Sequence, residues 1–491
     1  MTHFLFYLQE IEEWYTVFSS SMSHVFDPHI FRAYDIRGRS GIQITPSLCH
    51  AVGAAFGAIL RERTGILSPK VSVGRDARIS GHDLERALIE GLLHSGCAIS
   101  AIGQTPSPVN YFTVCTQRLD GGIHVTASHN PAEDNGIKLC THDAEAFAGE
   151  DIQILRQQCE DAQVCHGSST LTMTHAAGTL IKLAIEPEYE HFLLEPFPNV
   201  GNGLHIVIDA GNGVAGPLYT QVLRAVGCTV TELYTEPDGR FPNHPADPSK
   251  HETLRELQNT VLHEHAHVGF AFDGDGDRLG IVDERGHIAS ADAILLLLAS
   301  DHLSRHPGGG IVFTVSNSSM LQSEIAVRGG CPIMCPVGHS SVERALRDKM
   351  ALLGGEQSGH FFCAEEYFPF DDALVAALRV LSILQSTGKP LSRLFDAFPK
   401  VYQSPERRPH CPDERKMAII ACVKEHFLKE FPIETMDGVR IDFGAGAWAG
   451  IRQSNTSPCI SVCMEARTQE KLKKVEALVL DHLREYPELH L

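Results

Sequence analysis

The sequence contains no long hydrophobic run, and this absence argues against a protein with membrane-spanning helices. Its longest apolar stretch runs only from Ala293 to Ala299, whereas a helix that crosses a bilayer needs about 20 mostly apolar residues. Residues 1–21 contain acidic side chains but no lysine or arginine, so they do not resemble a secretory signal peptide. We therefore expect a cytoplasmic protein without a membrane partner, and we interpret residues 1–23 as an N-terminal extension.

Positive charge is also in short supply. Lysine and arginine together number 41 against 61 aspartates and glutamates, which gives a formal net charge of −20. Nucleic acids and anionic membranes are bound by basic surfaces, so the excess of negative charge predicts that neither is a partner. A small anionic substrate is not excluded, because a few basic side chains inside a cleft can outweigh the charge of the whole chain.

The 14 cysteines do not form any C-x-x-C pair. This absence argues against the common zinc and thiol–disulfide motifs, which depend on such closely spaced pairs. In a chain of this length, scattered cysteines are typical of reduced and mostly buried thiols. The cysteine pattern therefore agrees with a cytoplasmic protein.

The length and an internal repeat indicate several domains. A chain of 491 residues is too long for one ordinary domain and suggests three or four. Each repeat has an apolar run, a polar loop, a helical stretch and a Gly-Cys pair whose glycine is expected to end the helix in the left-handed conformation. The copies start with KVSVGRDARISG (70–81), LHIVIDAGNGVAG (204–216) and GIVFTVSNSSML (310–321), and they reach Gly96-Cys97, Gly227-Cys228 and Gly330-Cys331.

Each repeat is followed by a second polar loop that looks functional. In open α/β sheets, ligands gather at loops that follow the carboxyl ends of strands. From about residue 400 the pattern changes, which predicts a different kind of domain. The three loops are TASHNP (126–131), DGDGDR (273–278) and GGEQSGH (354–360), and the expected domains are 24–173, 174–287, 288–400 and 401–491.

DGDGDR carries the features of a magnesium site. It places three carboxylates at alternate positions, namely Asp273, Asp275 and Asp277, and the intervening glycines allow the loop to turn sharply. Three carboxylates that converge are unfavourable unless a cation lies among them, and Mg²⁺ prefers oxygen ligands.

Two further loops contain candidate binding or reactive groups. Ser128 and His129 lie in TASHNP after an apolar run; a serine hydroxyl is a weak nucleophile that needs activation, and by itself Ser128 is typical of a loop or helix cap. The loop RQSNTSP combines a guanidinium with small polar side chains, an inventory that suits a phosphate group. Its candidate phosphate ligands are Arg452, Ser454, Asn455 and Thr456.

A competing hypothesis comes from the second repeat. Gly211, Gly213 and Gly216 form G-x-G-x-x-G after a predicted strand, and Glu232 lies at a distance suited to a ribose contact. This pattern is typical of a nicotinamide-dependent dehydrogenase. The dehydrogenase hypothesis leaves DGDGDR, TASHNP and GGEQSGH unexplained. A non-catalytic protein that binds cations or sugar phosphates is a further alternative.

Taken together, the loops resemble the α-D-phosphohexomutase family, most closely its phosphomannomutase/phosphoglucomutase branch. The resemblance extends from about Phe26 to the C-terminus, because four loops occur in the family's order. It is supported by IFRAYDIRG (30–38), VGRDARISG (73–81), EPDGRFPNHPADP (236–248) and PFDDA (369–373).

The resemblance implies a fold and an activity. The expected fold is α/β, with four domains around a central cleft: three related α/β units and a C-terminal α+β domain like the TATA-binding protein. The expected enzyme interconverts hexose 1-phosphate and hexose 6-phosphate, of mannose or glucose, through a phosphoserine at Ser128. The implied cofactors are Mg²⁺, held by that serine and by Asp273, Asp275 and Asp277, and a sugar 1,6-bisphosphate as activator.

The resemblance also implies roles for individual residues. Lys138, Arg37 and His339 are candidates for proton transfer, and we favour Lys138 as the base with Arg37 orienting it, since an arginine is a poor base at its ordinary pKa. Arg278 would assist with charge on the transferred phosphoryl group, beside His129 and Ser128. The predicted substrate ligands are Tyr34, Glu356, Ser358 and His360 for the sugar, and Arg452, Ser454, Asn455 and Thr456 for the phosphate that is not reacting.

Some features depart from the family pattern. Ser316 stands where the family commonly has lysine, and GHSSVE (338–343) lacks the lysine that often follows the histidine. GEQSGH is also typical of phosphoglucosamine mutases, although Ser454-Asn455-Thr456 is not. Phosphoglucosamine mutase is therefore the alternative activity, and the sequence leaves open whether the protein is a monomer or a homodimer.

Overall fold

The computed structural model describes residues 26–165, 178–454 and 457–489. The predicted N-terminal extension, the predicted border at residue 173, and Asn455 and Thr456 lie outside these ranges. None of the helices in the described ranges combines the length and apolar composition needed to cross a membrane.

The first domain contains a mixed six-stranded sheet. Its order is β1-β5-β4-β2-β3-β6, with parallel pairing among β2, β3, β4 and β6 and antiparallel pairing of β5 with β1 and β4, where the strands are β1 (Ile36–Arg39), β2 (Lys70–Arg75), β3 (Ala98–Gln104), β4 (Gly121–Val125), β5 (Asp134–Thr141) and β6 (Thr179–Lys182). The helices are α1 (Pro46–Thr64), α2 (Gly81–His94), α3 (Ser107–Thr116) and α4 (Glu150–Cys165), with short 3₁₀ turns at Pro28–Ile30 and His142–Ala144.

The second domain repeats this arrangement with fewer strands. Its sheet has the order β11-β10-β9-β7-β8, where the strands are β7 (His205–Asp209), β8 (Thr229–Leu233), β9 (Val268–Phe272), β10 (Leu279–Asp283) and β11 (Ile288–Ala289). The helices are α5 (Glu186–Leu194), α6 (Gly216–Ala225) and α7 (Arg255–His263).

The third domain has a four-stranded sheet. Its order is β13-β12-β14-β15, where the strands are β12 (Gly310–Thr314), β13 (Cys331–Cys335), β14 (Leu353–Gly355) and β15 (Phe361–Cys363). The helices are α8 (Ala291–Arg305), α9 (Ser319–Val327), α10 (His339–Lys349), α11 (Ala373–Thr387) and α12 (Leu391–Phe395).

The fourth domain is of a different type, as the sequence predicts. Its sheet is antiparallel throughout, with the order β16-β20-β19-β18-β17, where the strands are β16 (Tyr402–Gln403), β17 (Ile433–Glu434), β18 (Val439–Asp442), β19 (Trp448–Gln453) and β20 (Ile460–Ala466). Its helices are α13 (Asp413–Phe427) and α14 (Gln469–Leu483). Three α/β domains and one α+β domain confirm the predicted fold class.

The three functional-looking loops occupy equivalent positions in the three α/β domains. Each connects a strand of the parallel part of the sheet to its antiparallel neighbour: residues 126–133 follow β4, residues 273–278 follow β9 and residues 356–360 follow β14. The loops therefore emerge at the carboxyl ends of parallel strands, where ligands bind in sheets of this kind.

The helix-ending glycines agree with the repeat in two of its three copies. Gly96 and Gly227 have φ values of 82° and 101°, as the sequence predicts for glycines that end helices. In the third copy the prediction of Gly330 is wrong, because Gly329 has the positive φ, 74°. Two strands pair across the predicted borders: β6, within the predicted second domain (174–287), pairs with β3, and β11, within the predicted third domain (288–400), pairs with β10. The exact domain borders stay predictions.

Hydrophobic packing joins the first three domains and leaves the fourth apart. One cluster includes Phe112 of the first domain, Tyr219 of the second and Phe370 of the third, whereas a separate cluster fills the fourth domain. Polar contacts are prominent between the third and fourth domains. The Ser319 hydroxyl donates to Glu465 at 2.7 Å, and Arg440 donates to the carbonyl oxygen of Asn317 at 3.1 Å and to that of Val315.

Candidate active site

The loops of the first three domains meet in one buried cluster. The Ser128 hydroxyl donates to Asp273 Oδ2 at 2.7 Å, and both side chains are almost inaccessible to solvent. The second and third domains are joined beside them by a backbone hydrogen bond of 3.0 Å from Leu279 N to Gly359 O. A serine from one domain is thus in direct contact with a carboxylate from another.

Ser128 is held in an uncommon backbone conformation. Its φ is 50°, a left-handed value that is sparsely populated by residues other than glycine. Its amide donates to the Thr126 hydroxyl at 2.8 Å, and its carbonyl oxygen accepts from Arg78 Nη2 at 2.8 Å. These contacts orient the hydroxyl towards the second domain.

The buried guanidinium of Arg78 donates hydrogen bonds along the serine loop, which we define as residues 126–133. Its Nη2 also donates to the carbonyl of Asn130, while its Nη1 donates to the carbonyls of Pro131 and Asp134. Its Nε is paired with Asp76, and only 1% of the residue is exposed. A planar fork with five donors is suited to collecting several carbonyls at once.

The aspartate loop, which we define as residues 273–278, turns tightly because of its glycines and the carboxylate of Asp273. Asp273 Oδ1 accepts from the amides of Gly276, Asp277 and Arg278, each at 3.1 Å, while Gly276 has a φ of 78°. Gly274 lies against the serine loop, and a Cβ there would fall 2.4 Å from Ser128 O. Glycine at this position is therefore required for the two loops to touch.

Lys138 lies between the other two carboxylates. Its ammonium group on β5 donates to Asp275 Oδ2 at 2.7 Å and to Asp277 Oδ2. Burial lowers the pKa of Lys138, but the two carboxylates raise it more strongly, so the pKa lies well above its usual value. The ammonium form is therefore the stable form in this arrangement.

The carboxylates differ in their readiness to hold charge. Burial and the neighbouring Asp277 and Asp275 raise the pKa of Asp273 well above its usual value. Burial also raises the pKa of Asp277, but Lys138 and His360 lower it more, and the net pKa is well below the usual value. The loop therefore concentrates negative charge at a buried position.

Two buried oxygen atoms in this cluster have no hydrogen-bond donor within residues 26–165, 178–454 and 457–489. They are Asp275 Oδ1 and Asp277 Oδ1, and His360 Nε2 lies 3.4 Å from the latter. Ligand oxygens of Asp273, Asp275 and Asp277 lie within 4.8 Å of one another. Unpaired buried carboxylate oxygens are costly, and a hard divalent cation such as Mg²⁺ fits this donor set.

The third loop forms a polar network around His360. Its Nδ1 lies 2.9 Å from the Ser358 hydroxyl and 3.2 Å from Glu356, while Arg278 Nε lies 3.2 Å from its Nε2. Burial and Arg278 lower the pKa of His360, but Asp277 and Glu356 raise it more, to about 10. Glu356 also accepts from the amide of Gly338 at 2.7 Å, which fixes its position.

The remaining predicted groups line the same region. Arg37 Nε donates to Asp35 at 2.6 Å, and its Nη1 lies 3.3 Å from the Ala127 carbonyl, so it supports the serine loop. From the sequence, we expect Arg37 to orient Lys138. Arg37 and Lys138 are both cations that only donate hydrogen bonds, so Arg37 cannot do this by accepting a hydrogen bond from Lys138. The His129 ring lies 3.1 Å from the serine hydroxyl, and burial together with Arg278 holds the pKa of His129 well below its usual value.

His339 and Tyr34 pack together at the junction of the first and third domains. Their ring centroids are 4.8 Å apart. Burial and the nearby Lys138 lower the pKa of His339 to about 3, and in the part of the chain that the structure describes its buried Nε2 has no hydrogen-bond partner. The ring is therefore neutral and has a free nitrogen.

The fourth-domain loop is only partly described. Ser454 accepts from Arg408 Nη2 at 3.0 Å, and Arg452 Nε is buried and has no hydrogen-bond partner among the described residues. The next strand, β20, contacts the third loop, where Cys463 Sγ lies 3.9 Å from Gln357 Oε1. The phosphate-binding candidate loop RQSNTSP thus begins at the end of β19, and the neighbouring strand β20 contacts the third loop.

The sequence did not single out three residues that the structure brings to this cluster. Arg78 and Asp371 occurred only inside family-like segments, and Ser107 occurred in no motif. Ser107 donates to Asp275 Oδ2 at 2.6 Å, and Asp371 lies 3.7 Å from His360 Nε2. Burial and Asp277 raise the pKa of Asp371 to about 7. Two adjacent aspartates in PFDDA were the available signal for Asp371.

The G-x-G-x-x-G loop has a different role from dinucleotide binding. A Cβ at Gly216 would lie 1.9 Å from Thr235 O, and a Cβ at Gly213 would lie 2.9 Å from Asp273 O. Val214 N also donates to Gly274 O at 3.1 Å. These two glycines therefore permit close packing against the segment that follows β8 and against the aspartate loop.

Comparison with protein families covers nearly the whole described chain. The matching descriptions are phosphoglucomutase/phosphomannomutase alpha/beta/alpha domain I over residues 28–164, domain II over 188–286, domain III over 290–402 and the C-terminal domain over 406–482. The chain belongs to the phosphoglucomutase/phosphomannomutase family.

Individual relatives support the same assignment. The chain is 38% identical to a phosphomannomutase/phosphoglucomutase of Pseudomonas aeruginosa, over 95% of this chain and 98% of that protein. It is 35% identical to a phosphoglucomutase of Neisseria gonorrhoeae, over 91% and 95%. A crystal structure of a phosphoglucomutase/phosphomannomutase family protein from Burkholderia thailandensis superposes with a TM-score of 0.84 at 34% identity, covering 92% of this chain and 96% of that one.

Proposed function

We propose that this protein is a phosphohexomutase that interconverts the 1-phosphate and 6-phosphate of mannose and glucose through a phosphoserine at Ser128. The observation that carries the proposal is the 2.7 Å contact between the Ser128 hydroxyl and Asp273, which joins a nucleophile from one domain to an acidic cluster of another. Phosphate monoesters react extremely slowly in water. An enzyme that transfers their phosphoryl group depends mainly on positioning and on stabilisation of charge.

The proposed metal ligands are Asp273, Asp275, Asp277 and the phosphate on Ser128. The unpaired Oδ1 atoms of Asp275 and Asp277 support this assignment. When bound, Mg²⁺ would neutralise phosphate charge and, by sharing Asp275 and Asp277, weaken the hold of these carboxylates on Lys138. Arg278, whose guanidinium borders Asp273 at 3.8 Å, would contact the equatorial oxygens of the transferred group.

Transfer requires a base for the attacking sugar hydroxyl. The sugar oxygen forms a bond to phosphorus while the bond from phosphorus to Ser128 Oγ breaks, and the hydroxyl proton passes to the base. Ser128 Oγ leaves with the bonding electron pair, and its negative charge would be stabilised by the cation that the three aspartates would hold. We propose Lys138 as this base once its ion pairs are loosened, with Arg37 and His129 supporting the serine loop. His339 is the alternative, because it is neutral and its Nε2 is free.

The proposed sugar ligands are Tyr34, Glu356, Ser358 and His360. Arg452 and Ser454, with Asn455 and Thr456, would hold the phosphate that is not reacting. The intermediate is then a sugar 1,6-bisphosphate that must turn over before it returns a phosphate to Ser128, and added bisphosphate would act as an activator. We further propose a cytoplasmic location and a monomer or homodimer.

A coupled assay tests the reaction directly. Glucose 1-phosphate, mannose 1-phosphate and glucosamine 1-phosphate are each supplied with Mg²⁺ and the matching 1,6-bisphosphate. We expect turnover of the first two. Gln357, the residue that resembles glucosamine-specific relatives, contacts Cys463 of the fourth domain, and we therefore assign it no contact with the sugar. Preferred turnover of glucosamine 1-phosphate would replace the proposed substrate, and turnover of none of the three would refute the activity.

The covalent route is tested by Ser128→Ala. We expect at least a ~10²-fold loss of rate, since a group that reacts directly is removed, and no transfer of labelled phosphate from the bisphosphate to the protein. Ser95→Ala, which changes a half-buried serine after α2, is the matched control and should keep both properties. Normal labelling of the Ser128 variant would exclude the phosphoserine.

The two candidate bases can be separated by their pH profiles. If Lys138 is the base, Lys138→Met should lose at least ~10²-fold in kcat together with the limb of the profile that rises with pH. His339→Gln should then retain that limb. The opposite result would assign proton transfer to His339.

A further inference from the structure

A second cluster of metal-binding side chains lies in the third domain. His302 and His306 are one turn apart at the C-terminal end of α8, and Glu365 follows β15. One ligand atom from each of the three residues lies within 4.8 Å of the others. This cluster combines two imidazoles with a carboxylate, unlike the three aspartates of the second domain.

The cluster is remote from the candidate active site. Glu356 and the rest of the third loop (residues 356–360) follow the carboxyl end of β14. Glu365 lies near the amino end of that strand, because its neighbour Ala364 N donates to Leu352 O at 2.8 Å. The third loop and the histidine cluster therefore lie at opposite ends of the strands of the same sheet. Nothing in the phosphoryl transfer described above uses the histidine cluster.

The distances suit a small cation with little movement of the side chains. His302 Nδ1 lies 3.2 Å from Glu365 Oε2, and His306 Nε2 lies 2.7 Å from Glu365 Oε1. Ligands about 2.0–2.2 Å from a tetrahedral zinc ion are themselves separated by roughly 3.3 Å. We propose that His302, His306 and Glu365 bind one divalent transition-metal ion, Zn²⁺ in particular, with water completing the coordination.

The chemistry of the ligands favours zinc over magnesium. Imidazole nitrogen suits Zn²⁺, Cu²⁺ and Ni²⁺, whereas Mg²⁺ prefers oxygen ligands. His302 is 5% exposed and Glu365 is partly buried, so their positions are fixed before binding. Two histidines spaced i and i+4 on a helix also point to the same side of it, as they do in other zinc sites.

Two arginines border the site, and each has another anionic partner. Arg305 contacts Glu365 but also pairs with Asp301 at 2.8 Å, while Arg379 pairs with Glu366 at 3.6 Å. Arg305 can therefore keep an ion pair when a metal takes over the Glu365 carboxylate. His306 caps the carboxyl end of α8, where the helix dipole favours a positive charge.

The test measures zinc binding to the untagged full-length protein. Metal is first removed with a chelator, and the protein is then titrated with Zn²⁺ in millimolar Mg²⁺, which competes for the aspartate cluster. Co²⁺ replaces Zn²⁺ in a parallel titration, because its visible absorption is strong in four-coordinate sites with nitrogen ligands and weak in six-coordinate oxygen sites. We expect one equivalent of Zn²⁺ to bind despite the Mg²⁺.

Three variants assign the ligands. His306→Ala and Glu365→Gln should each weaken zinc binding at least ~10-fold and remove the strong cobalt absorption. His287→Ala is the matched control, because His287 is also paired with a carboxylate, that of Asp283, but lies outside the cluster; it should bind like the unmodified protein. Equal zinc affinity in the unmodified protein, His306→Ala and Glu365→Gln, or no zinc binding in the presence of Mg²⁺, would overturn the proposal.

Discussion

Two buried cations lie in the candidate active site, and they act in different ways. Arg78 donates to carbonyl oxygens of the serine loop, including that of Ser128 itself. Lys138 instead neutralises Asp275 and Asp277 across the boundary between two domains. At the scale of single residues, the site therefore depends on one cation for shape and on another for charge balance.

The shape-determining role predicts the behaviour of Arg78→Lys. Lysine keeps the charge but cannot reproduce the planar fork, so several carbonyls of the loop lose their donors. We expect a loss of about 3 kcal/mol or more in stability, measured by the denaturant midpoint, and at least a ~10-fold slower mutase reaction. Arg240→Lys, at an exposed ion pair with Asp238, is the control. A denaturant midpoint unchanged from the unmodified protein would contradict the role.

The charge-balancing role predicts the behaviour of Lys138→Met. Removal of one partner from a buried ion pair leaves uncompensated charge and costs about 3–5 kcal/mol. We expect a much lower unfolding temperature in chelator and a larger stabilisation by Mg²⁺ than in the unmodified protein. Lys250→Met removes a half-exposed partner of Asp247 and should change stability by no more than about 1 kcal/mol. An equal response of both variants to Mg²⁺ would contradict this account.

The sequence predicted the groups that lie inside short motifs. Ser128 and the three aspartates were found because their neighbours form recognisable loops, and the structure brings those loops together. Arg78 and Ser107 escaped because their partners lie 50 and 168 residues away, and nothing in a local pattern encodes such contacts. The ion pairs of Lys138 also depend on a distant loop. The role of Lys138 as the base stays a prediction.

At the scale of elements, two helices that both begin with glycine provide a matched pair. At Gly216, the first residue of α6, a Cβ would lie 1.9 Å from Thr235 O, whereas at Gly81, the first residue of α2, the nearest atom would be 3.5 Å away. We expect Gly216→Ala to cost about 2 kcal/mol or more by overpacking, and to slow the reaction because Val214 supports Gly274. Gly81→Ala should be neutral or stabilising by up to about 1 kcal/mol. Thermal unfolding of both variants decides, and similar losses would contradict the packing argument.

The order and type of the elements were largely predictable, but some of their ends were not. The repeat predicted a strand, a loop and a helix in each of three domains, since apolar runs and glycines mark them locally. Gly330 was predicted because Gly330-Cys331 repeats the Gly-Cys pairs of the other two copies, whereas the backbone takes the left-handed conformation one residue earlier, at Gly329. The pairing of β6 with β3 depends on tertiary contacts and carries no local signal.

At the scale of the whole molecule, Glu343 joins the first and third domains. It accepts from the Ala146 amide at 3.2 Å and from Arg347 at 2.9 Å. Burial raises the pKa of Glu343 to about 8, against the opposing effect of Arg347. A carboxyl whose pKa is raised by folding binds more protons in the folded protein, so its contribution to stability is present at low pH and is lost as the pH rises to about 8.

Glu343→Gln should therefore flatten the dependence of stability on pH. Between about pH 5 and pH 8 we expect the variant to lose less stability than the unmodified protein, by up to about 4 kcal/mol, because each unit of pKa shift corresponds to about 1.4 kcal/mol. Unfolding temperatures at the two pH values give the comparison. Glu470→Gln changes an exposed carboxylate and should leave the profile unchanged. Parallel profiles for Glu343→Gln and the unmodified protein would contradict the prediction.

The polar contact between the third and fourth domains should be sensitive to Arg440. Its guanidinium lies 3.6 Å from the Trp448 ring and donates to backbone carbonyls of the third domain. We expect Arg440→Gln to weaken this contact by about 1.5–3 kcal/mol, to increase the radius of gyration measured by X-ray scattering, and to raise KM more than it lowers kcat. Arg484→Gln, within α14 and its adjoining turn, is the control. Unchanged scattering and KM would show that other contacts hold the fourth domain.

The pairing of Lys138 with Asp275 and Asp277 has a consequence for biosynthesis. The lysine leaves the ribosome 137 residues before the first of its two partners, an interval of roughly 7–27 s at translation rates of about 5–20 residues per second. During that time the nascent first domain must keep an ammonium group hydrated that the finished enzyme encloses. Its final closure therefore has to wait for the second domain, and a polypeptide terminated between the two would expose a cation without its counter-ions.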